Sequence, residues 1–321
     1  MQKCGRLDAS WARYRALGMA KLAFVPTKPY PIVMNLLVTG GCGFIGSHLA
    51  DRLIADGHDV TILDNLSSGK RENAPVSATM VVGDVSDESI VRPLVAKADA
   101  VIHLAAIASV ERCTNDWLNA HRTNLTGTVA VFDAARPRKT PVIYASSAAI
   151  YGDNDDLPLS EDATAKPLSA YGLDKYSCER NAAIAWDFHG VPSVGLRFFN
   201  VYGPRQDASS PYSGVISKFM ANAREGLPLT FFGDGEQTRD FIYVGDIVQL
   251  LVAALASKKG AKVFNGCTGV TTSLLQLANT IGEVMEKQLT LQHAAPRAGD
   301  IRHSLGNPAA ARETIGFLAS T

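Results

Sequence analysis

Val38-Thr39-Gly40-Gly41-Cys42-Gly43-Phe44-Ile45-Gly46 is the stretch on which the reading of this chain turns. The apolar run Asn35–Thr39 leads into it and reads as a strand. Ile45–Asp56 leads out of it and reads as a helix, with Ile45, Leu49, Leu53 and Ile54 on one face and Gly57 as the stop. Between a strand and a helix, the G-x-G-x-x-G spacing of Gly41, Gly43 and Gly46 carries a physical meaning. One glycine makes a tight turn, the next lets backbone approach a pyrophosphate at the helix N-terminus, and the last lets helix and strand pack closely. Asp64 follows 18 residues after Gly46, at the end of the second predicted strand, where a carboxylate accepts hydrogen bonds from an adenosine ribose. Its charge would repel a 2′-phosphate, so NAD is expected rather than NADP, although Lys70 and Arg71 stand nearby.

Working outward, further β-branched runs at Asp59–Leu63, Thr79–Val82, Ala100–Leu104, Pro141–Ala145 and Ser193–Phe198 alternate with helical patterns. Five of the six candidate strands lack a clean two-residue alternation, as strands buried on both faces do. Helices are predicted from an Asp87 cap through Lys97, over Ser169–Phe188, and near Val215–Arg224, Asp246–Ala256 and Ser273–Glu286. The fold class expected is α/β, a Rossmann-type doubly wound parallel sheet with a smaller C-terminal substrate-binding region. The expected division is 34–199 for the NAD-binding domain and 200–321 for the mainly substrate-binding region, where Gly, Pro and aromatic residues become frequent.

Bulk properties narrow the partners. With 321 residues and 46% apolar content the chain can build a sizeable core, and 31 basic against 31 acidic side chains leave no electrostatic footprint for nucleic acid or an anionic membrane. Residues 1–33 differ from the rest: they carry Lys3, Arg6, Arg13, Arg15, Lys21 and Lys28 against Asp8 alone, with Pro26, Pro29 and Pro31. They read as a disordered or non-native N-terminal extension, with Met34 as the natural start. No run reaches the ~18 apolar residues that a membrane span requires. The five cysteines are scattered and show neither disulfide nor zinc spacing, which suits a cytoplasmic protein without a metal. His48, His103, His121 and His303 lack ligand-like spacing and are read as structural.

Tyr171 and Lys175 lie four apart on a predicted helix and so share a face, where an ammonium favours the phenolate of a neighbouring tyrosine. Ser146 and Ser147 end the fifth predicted strand, and the carboxyl ends of parallel strands face the ligand crevice. The glycine loop, Asp64, the serine pair and Tyr-x-x-x-Lys together resemble the extended short-chain dehydrogenase/reductase family, specifically its nucleotide-sugar 4-epimerases. The resemblance runs from about Met34 to Phe317.

That resemblance implies roles position by position. Gly40, Gly43, Phe44, Ile45 and Gly46 match the cofactor loop, Asp64 and Asn65 the ribose site, Asp84 and Val85 the adenine contact, and Leu104, Ala105 and Ala106 the strand end beside the cofactor. Ser147 matches the catalytic Ser/Thr, Tyr171 the base, and Lys175 the residue that holds the nicotinamide ribose. Asn200, in Arg197–Arg205, is expected on the diphosphate of a UDP-sugar, and Arg239 and Arg297 are expected to neutralise its phosphates. Ser304 matches a gate that is small in relatives accepting 2-acetamido sugars, so interconversion of UDP-N-acetylglucosamine and UDP-N-acetylgalactosamine is expected, with some activity on UDP-glucose. The family also implies a homodimer through Asp116–Ala135 and Ser169–Phe188.

Other reactions use the same scaffold. Sugar-nucleotide dehydratases carry an acidic pair after the catalytic Ser/Thr, whereas Ala148-Ala149 follows Ser147 here. A UDP-glucuronate epimerase or decarboxylase stays open, although no acidic residue adjoins Ser147. A non-catalytic NAD-sensing protein would have no need of Ser147, Tyr171 and Lys175.

Overall fold

The computed structural model describes residues 33–207, 214–257, 260–296 and 301–321. The leader, apart from Val33, and Arg297 lie outside the described residues. In chain order the described elements begin β1 (Asn35–Thr39), α1 (Phe44–Ala55), β2 (Asp59–Asp64), β3 (Thr79–Val82), α2 (Glu88–Lys97) and β4 (Ala100–His103). Then come α3 (Val110–Asn115), α4 (Trp117–His121), α5 (Gly127–Ala135), β5 (Val142–Ser147), α6 (Ala170–His189), β6 (Ser193–Phe198) and β7 (Asn200–Tyr202). The last set is α7 (Val215–Glu225), β8 (Leu229–Phe232), β9 (Thr238–Arg239), β10 (Phe241–Tyr243), α8 (Val244–Ala254), β11 (Ala261–Gly266), β12 (Thr272–Ser273), α9 (Leu274–Met285), β13 (Leu291–Ala294) and α10 (Ala309–Ile315).

Seven strands form one parallel sheet in the order β11-β6-β5-β4-β1-β2-β3. This is the Rossmann-type doubly wound sheet, and its strand order reverses between β1 and β4, which opens a crevice at their carboxyl ends. Every residue of β4 and β6 is buried, the mark of strands covered on both faces and the reason their sequences do not alternate. One face packs on α2, α5 and α6 through Val91, Val95, Val131, Phe132, Cys178 and Ala182, while α1 packs against α8.

The seventh strand was not among the expected elements. Ala261–Gly266 comes from the portion assigned to the substrate side, yet pairs with β6 at the edge of the main sheet. The chain from Val33 to Thr321 forms a single compact unit, within which Ala261–Gly266 returns to the main sheet. The smaller region holds a second apolar cluster of its own, with Phe219, Phe231, Leu277 and Ile281 from α7, β8 and α9. Among the described residues no helix is long and apolar enough to cross a membrane, and no group of His, Cys, Asp and Glu is placed to hold a metal ion.

Candidate active site

At the carboxyl end of β1 the chain turns at Gly40, whose φ is +71°. A Cβ there would lie 2.7 Å from the backbone nitrogen of Ala105, so only glycine lets this turn meet the segment leaving β4. Gly40 rather than Gly41 therefore makes the tight turn: Gly41 instead packs on Ile62. Gly43 is open except toward the Gly40 carbonyl, and α1, which starts after it, has no side-chain cap and no acid in its first turn. An unclaimed row of N–H groups at a glycine-lined helix start fits the pyrophosphate of a dinucleotide.

The cleft beyond this turn is lined by Gly40, Gly43, Asp64, Asn65, Val85, Leu104, Ala105 and Ala106, all expected from sequence. Phe44, Ile45 and Gly46 form the first turn of α1 beside it. Asp64 is buried at the end of β2, where its carboxylate accepts from the backbone N–H of Cys42 at 3.0 Å and of Leu66 at 2.8 Å, tying the glycine loop to the sheet. Asp84 holds the cleft-lining Asn65, accepting from its Nδ2 at 3.1 Å. Burial pushes the Asp84 carboxyl up, but hydrogen bonds from Ser86 and Asn65 outweigh it and hold the group below the usual carboxylate range. Ser67, Ser68, Gly69, Ile107 and Thr123 also line the cleft and were not expected. The turn composition of Ser67-Ser68-Gly69 directly after a strand end was a usable signal, whereas Thr123 sits in a π-helical turn, Arg122–Thr126, that no local pattern announces.

Two strands along, the serine pair at the end of β5 divides. Ser146 points into the core and donates to Glu179 Oε1 at 2.5 Å. Ser147 is half-buried, and its oxygen accepts from Ala149 N at 3.1 Å, a bond that leaves its hydroxyl hydrogen for another acceptor. Ser169 caps α6 by accepting from Gly172 N, which sets Tyr171 and Lys175 in the first turns of that helix. Lys175 is only 3% exposed; its Nζ donates to Ala145 O at 2.8 Å and lies 5.9 Å from the centre of the Tyr171 ring. A base candidate, a cation and a hydroxyl donor thus stand at the end of β5, with β4 alone between them and the glycine strand.

On the substrate side, Asn200 opens β7 and is exposed, with its N–H donated to Asp240 O at 3.0 Å. Arg239 lies in β9, donating to Thr238 O at 2.9 Å. The segment 302–304 runs alongside: Thr238 N donates to Arg302 O at 3.0 Å and Ser304 N to Thr238 O at 3.2 Å, which makes Arg239 and Ser304 neighbours although 65 positions separate them. Hydrogen bonds of 2.8 Å from Leu159 N to Leu305 O and 2.9 Å from Asn307 N to Leu159 O then join this segment to the loop that follows Ser147. Asp240, given no role of its own in the sequence reading, organises the region. Fully buried, it accepts from Thr268 N and Oγ1 at 2.8 Å and from Gly269 N at 2.9 Å, and burial raises its carboxyl above the ordinary range.

The sequence profile of the NAD dependent epimerase/dehydratase family matches residues 36–266. Among solved structures, the UDP-glucose 4-epimerase of Thermotoga maritima with UDP-glucose is 36% identical, with a TM-score of 0.87 over 90% of this chain and 94% of that one. The UDP-N-acetylglucosamine 4-epimerase of Methanobrevibacter ruminantium in complex with UDP-N-acetylmuramic acid is 38% identical, with a TM-score of 0.85 over 90% and 93%. A UDP-N-acetyl-alpha-D-glucosaminuronate decarboxylase of Bacillus cytotoxicus is 35% identical over 80% of this chain and 82% of its own.

Proposed function

Since the chain belongs to the NAD dependent epimerase/dehydratase family, we propose that it inverts C4 of a UDP-hexose, with UDP-N-acetylglucosamine and UDP-N-acetylgalactosamine favoured over UDP-glucose and UDP-galactose. The cofactor is NAD, which when bound supplies the acceptor and donor of the C4 hydride. The glycine turn and the uncapped start of α1 bind its pyrophosphate, and Asp64 with Asn65 takes the adenosine ribose.

Tyr171 removes the proton from the C4 hydroxyl and returns it after the sugar has turned in the site. Lys175, with its ammonium fixed by Ala145 O, holds positive charge beside that ring and anchors the nicotinamide ribose. Ser147 donates its hydroxyl hydrogen to the C4 oxygen and so holds the carbonyl form in place. Asn200, Arg239 and Arg297 take the diphosphate, and Ser304, small and beside Arg239, leaves room for a 2-acetamido group.

What carries this reading is the setting of Ser147, Tyr171 and Lys175 at one strand end, one strand from the glycine turn. Incubating the purified protein with UDP-N-acetylglucosamine and with UDP-glucose, followed by NMR, should give each C4 epimer, the first faster. Tyr171→Phe should lower kcat by roughly 10³-fold. A product that is only a 4-keto-6-deoxy sugar would overturn the assignment. The decarboxylase among the relatives keeps one second reading: release of carbon dioxide from a UDP-uronate, tested by adding UDP-glucuronate as a third substrate and looking for a UDP-pentose. Against it stand Ala148 and Ala149, which offer no acid beside Ser147.

The homodimer is part of the same proposal. Trp117 and Leu118 on α4 and Ile184 and Phe188 on α6 are exposed, and they lie within the two stretches expected to pair.

A further inference from the structure

Helix α6 carries a buried acid, Glu179, that the reaction as derived leaves unused. Tyr171, Lys175 and Glu179 recur every four residues and therefore form one stripe along the helix. Three points near this stripe grip the end of β5 and the turn after it. At the first turn Gly172 packs so closely that a Cβ would stand 2.7 Å from Ala149 O. Lys175 Nζ holds Ala145 O at 2.8 Å. Glu179 Oε1 takes the Ser146 hydroxyl at 2.5 Å. The two polar contacts fall on successive residues of β5, directly before Ser147.

Glu179 is itself fixed from the neighbouring strand. Arg197, the register partner of Ser146 on β6, reaches it through two parallel bonds, Nε to Oε1 at 2.9 Å and NH2 to Oε2 at 2.7 Å. The remaining nitrogen of Arg197, NH1, donates to Tyr151 Oη at 2.9 Å and to Glu161 O at 2.8 Å, and Tyr151 Oη donates to Asn265 Oδ1 at 2.7 Å. Ser146, Glu179 and Arg197 are all buried. A buried ion pair is a poor device for stability, because apolar side chains of the same volume serve as well or better. What it supplies that they do not is direction. A carboxylate locked in both oxygens presents one fixed acceptor to Ser146, and that fixes the rotation of the strand end on which Ser147 stands.

We propose that Glu179 is a positioning residue for the reaction, holding Ser146 so that the adjoining Ser147 keeps its hydroxyl aligned with Tyr171 and Lys175 of the same helix. The inference rests on the reading of Ser147, Tyr171 and Lys175 as the reacting groups. Neither Ser146 nor Glu179 is among the residues assigned to the diphosphate, so loss of the grip acts on kcat and spares KM.

Ser146→Ala removes only the hydroxyl and leaves the Arg197–Glu179 pair whole. Turnover of the UDP-sugar, normalised to the fraction of folded, NAD-loaded protein, should fall about tenfold while KM stays within about twofold. Ser146→Cys, with a weaker hydrogen bond, should give an intermediate kcat. Glu179→Gln should be worse than either, and because it unsettles a buried ion pair it is read only after circular dichroism confirms folding. Wild-type kcat in both serine variants, a rise in KM at constant kcat, or a loss that only tracks the unfolded fraction would overturn the proposal. Tyr171→Phe separates this from the reading beneath it. An inactive Tyr171→Phe with unchanged Ser146→Ala removes the positioning role alone, whereas an active Tyr171→Phe removes both.

Discussion

His103 shows how much chemistry one buried side chain can carry without touching substrate. The Thr39 hydroxyl oxygen accepts from Ala105 N at 3.2 Å and lies 2.7 Å from His103 Nδ1. On the other side of the ring, Nε2 lies 3.0 Å from Thr128 Oγ1, whose own hydrogen goes to Asn124 O at 2.6 Å. Thr128 can therefore only accept from the ring, so Nε2 carries the hydrogen and Nδ1 accepts from Thr39. The neutral imidazole links the glycine strand, the end of β4 and the turn at Asn124. Burial pushes it down to about 3, with the Lys175 ammonium acting in the same direction. An unfolded imidazole titrates near ~6.5, so below that pH the unfolded chain takes a proton that the folded chain refuses. This contribution is complete above ~6.5 and is lost as pH falls toward ~3. Between pH 8 and pH 5 the wild type should lose about 2 kcal/mol more stability than His103→Gln in urea titrations. Parallel curves for the two proteins would exclude a neutral buried imidazole. The sequence marked His103 only as structural, since its partners stand 64 and 25 positions away.

Helix starts were the most legible elements, because a cap is a local device. Asp87 was expected to open α2 and accepts from Ser89 N at 2.9 Å, and Ser169 opens α6 in the same manner. At α9 a full capping box forms: Ser273 Oγ accepts from Gln276 N at 3.1 Å while Gln276 Oε1 accepts from Ser273 N at 2.8 Å. Ser273→Ala removes the half in which Gln276 N donates to Oγ and leaves the backbone N–H of residue 273 with Gln276 Oε1, so it should cost about 1 kcal/mol in chemical denaturation. An unchanged midpoint would mean that packing of the α9 face, not its cap, sets the helix start. The stretch from Val110 to Ala135 was less legible. It breaks into α3, α4, a π-helical turn and α5, because Asn124 turns inward to bond Ile107 N at 2.8 Å and Ile107 O at 3.2 Å. β11 escaped notice for a different reason. An edge strand pairs on one side only, and the polar residues Lys262 and Asn265 in Ala261–Gly266 disguise it.

At the scale of the molecule, the expected association and the sheet pull in one direction. Ile184 and Phe188, one turn apart on α6, are 52% and 78% exposed, whereas the opposite face of the same helix packs on the sheet. Apolar side chains at such spacing form a seam that a second copy can bury. Replacing both by Glu should turn a dimer into a monomer in sedimentation at micromolar concentration, with the secondary structure intact. A wild type that already sediments as a monomer would dispose of the dimer. Because α6 also carries Tyr171 and Lys175, loss of the partner should lower turnover before it lowers stability.

Read alone, the residues determined the strand-turn-helix at the glycine loop, six of the seven strands in the main sheet, the capped helices and the order of Ser147, Tyr171 and Lys175 along the chain. Each of these follows from local periodicity, backbone sterics or short spacing. Only the tertiary structure decided that Ser146 turns inward to Glu179, that Gly40 makes the turn, that Ser304 lies beside Arg239, and that Asp240, Glu179 and Arg197 are buried in hydrogen-bonded networks. Those outcomes depend on pairings between segments as many as 66 positions apart, and a buried carboxylate looks the same in sequence whether it meets water or a guanidinium.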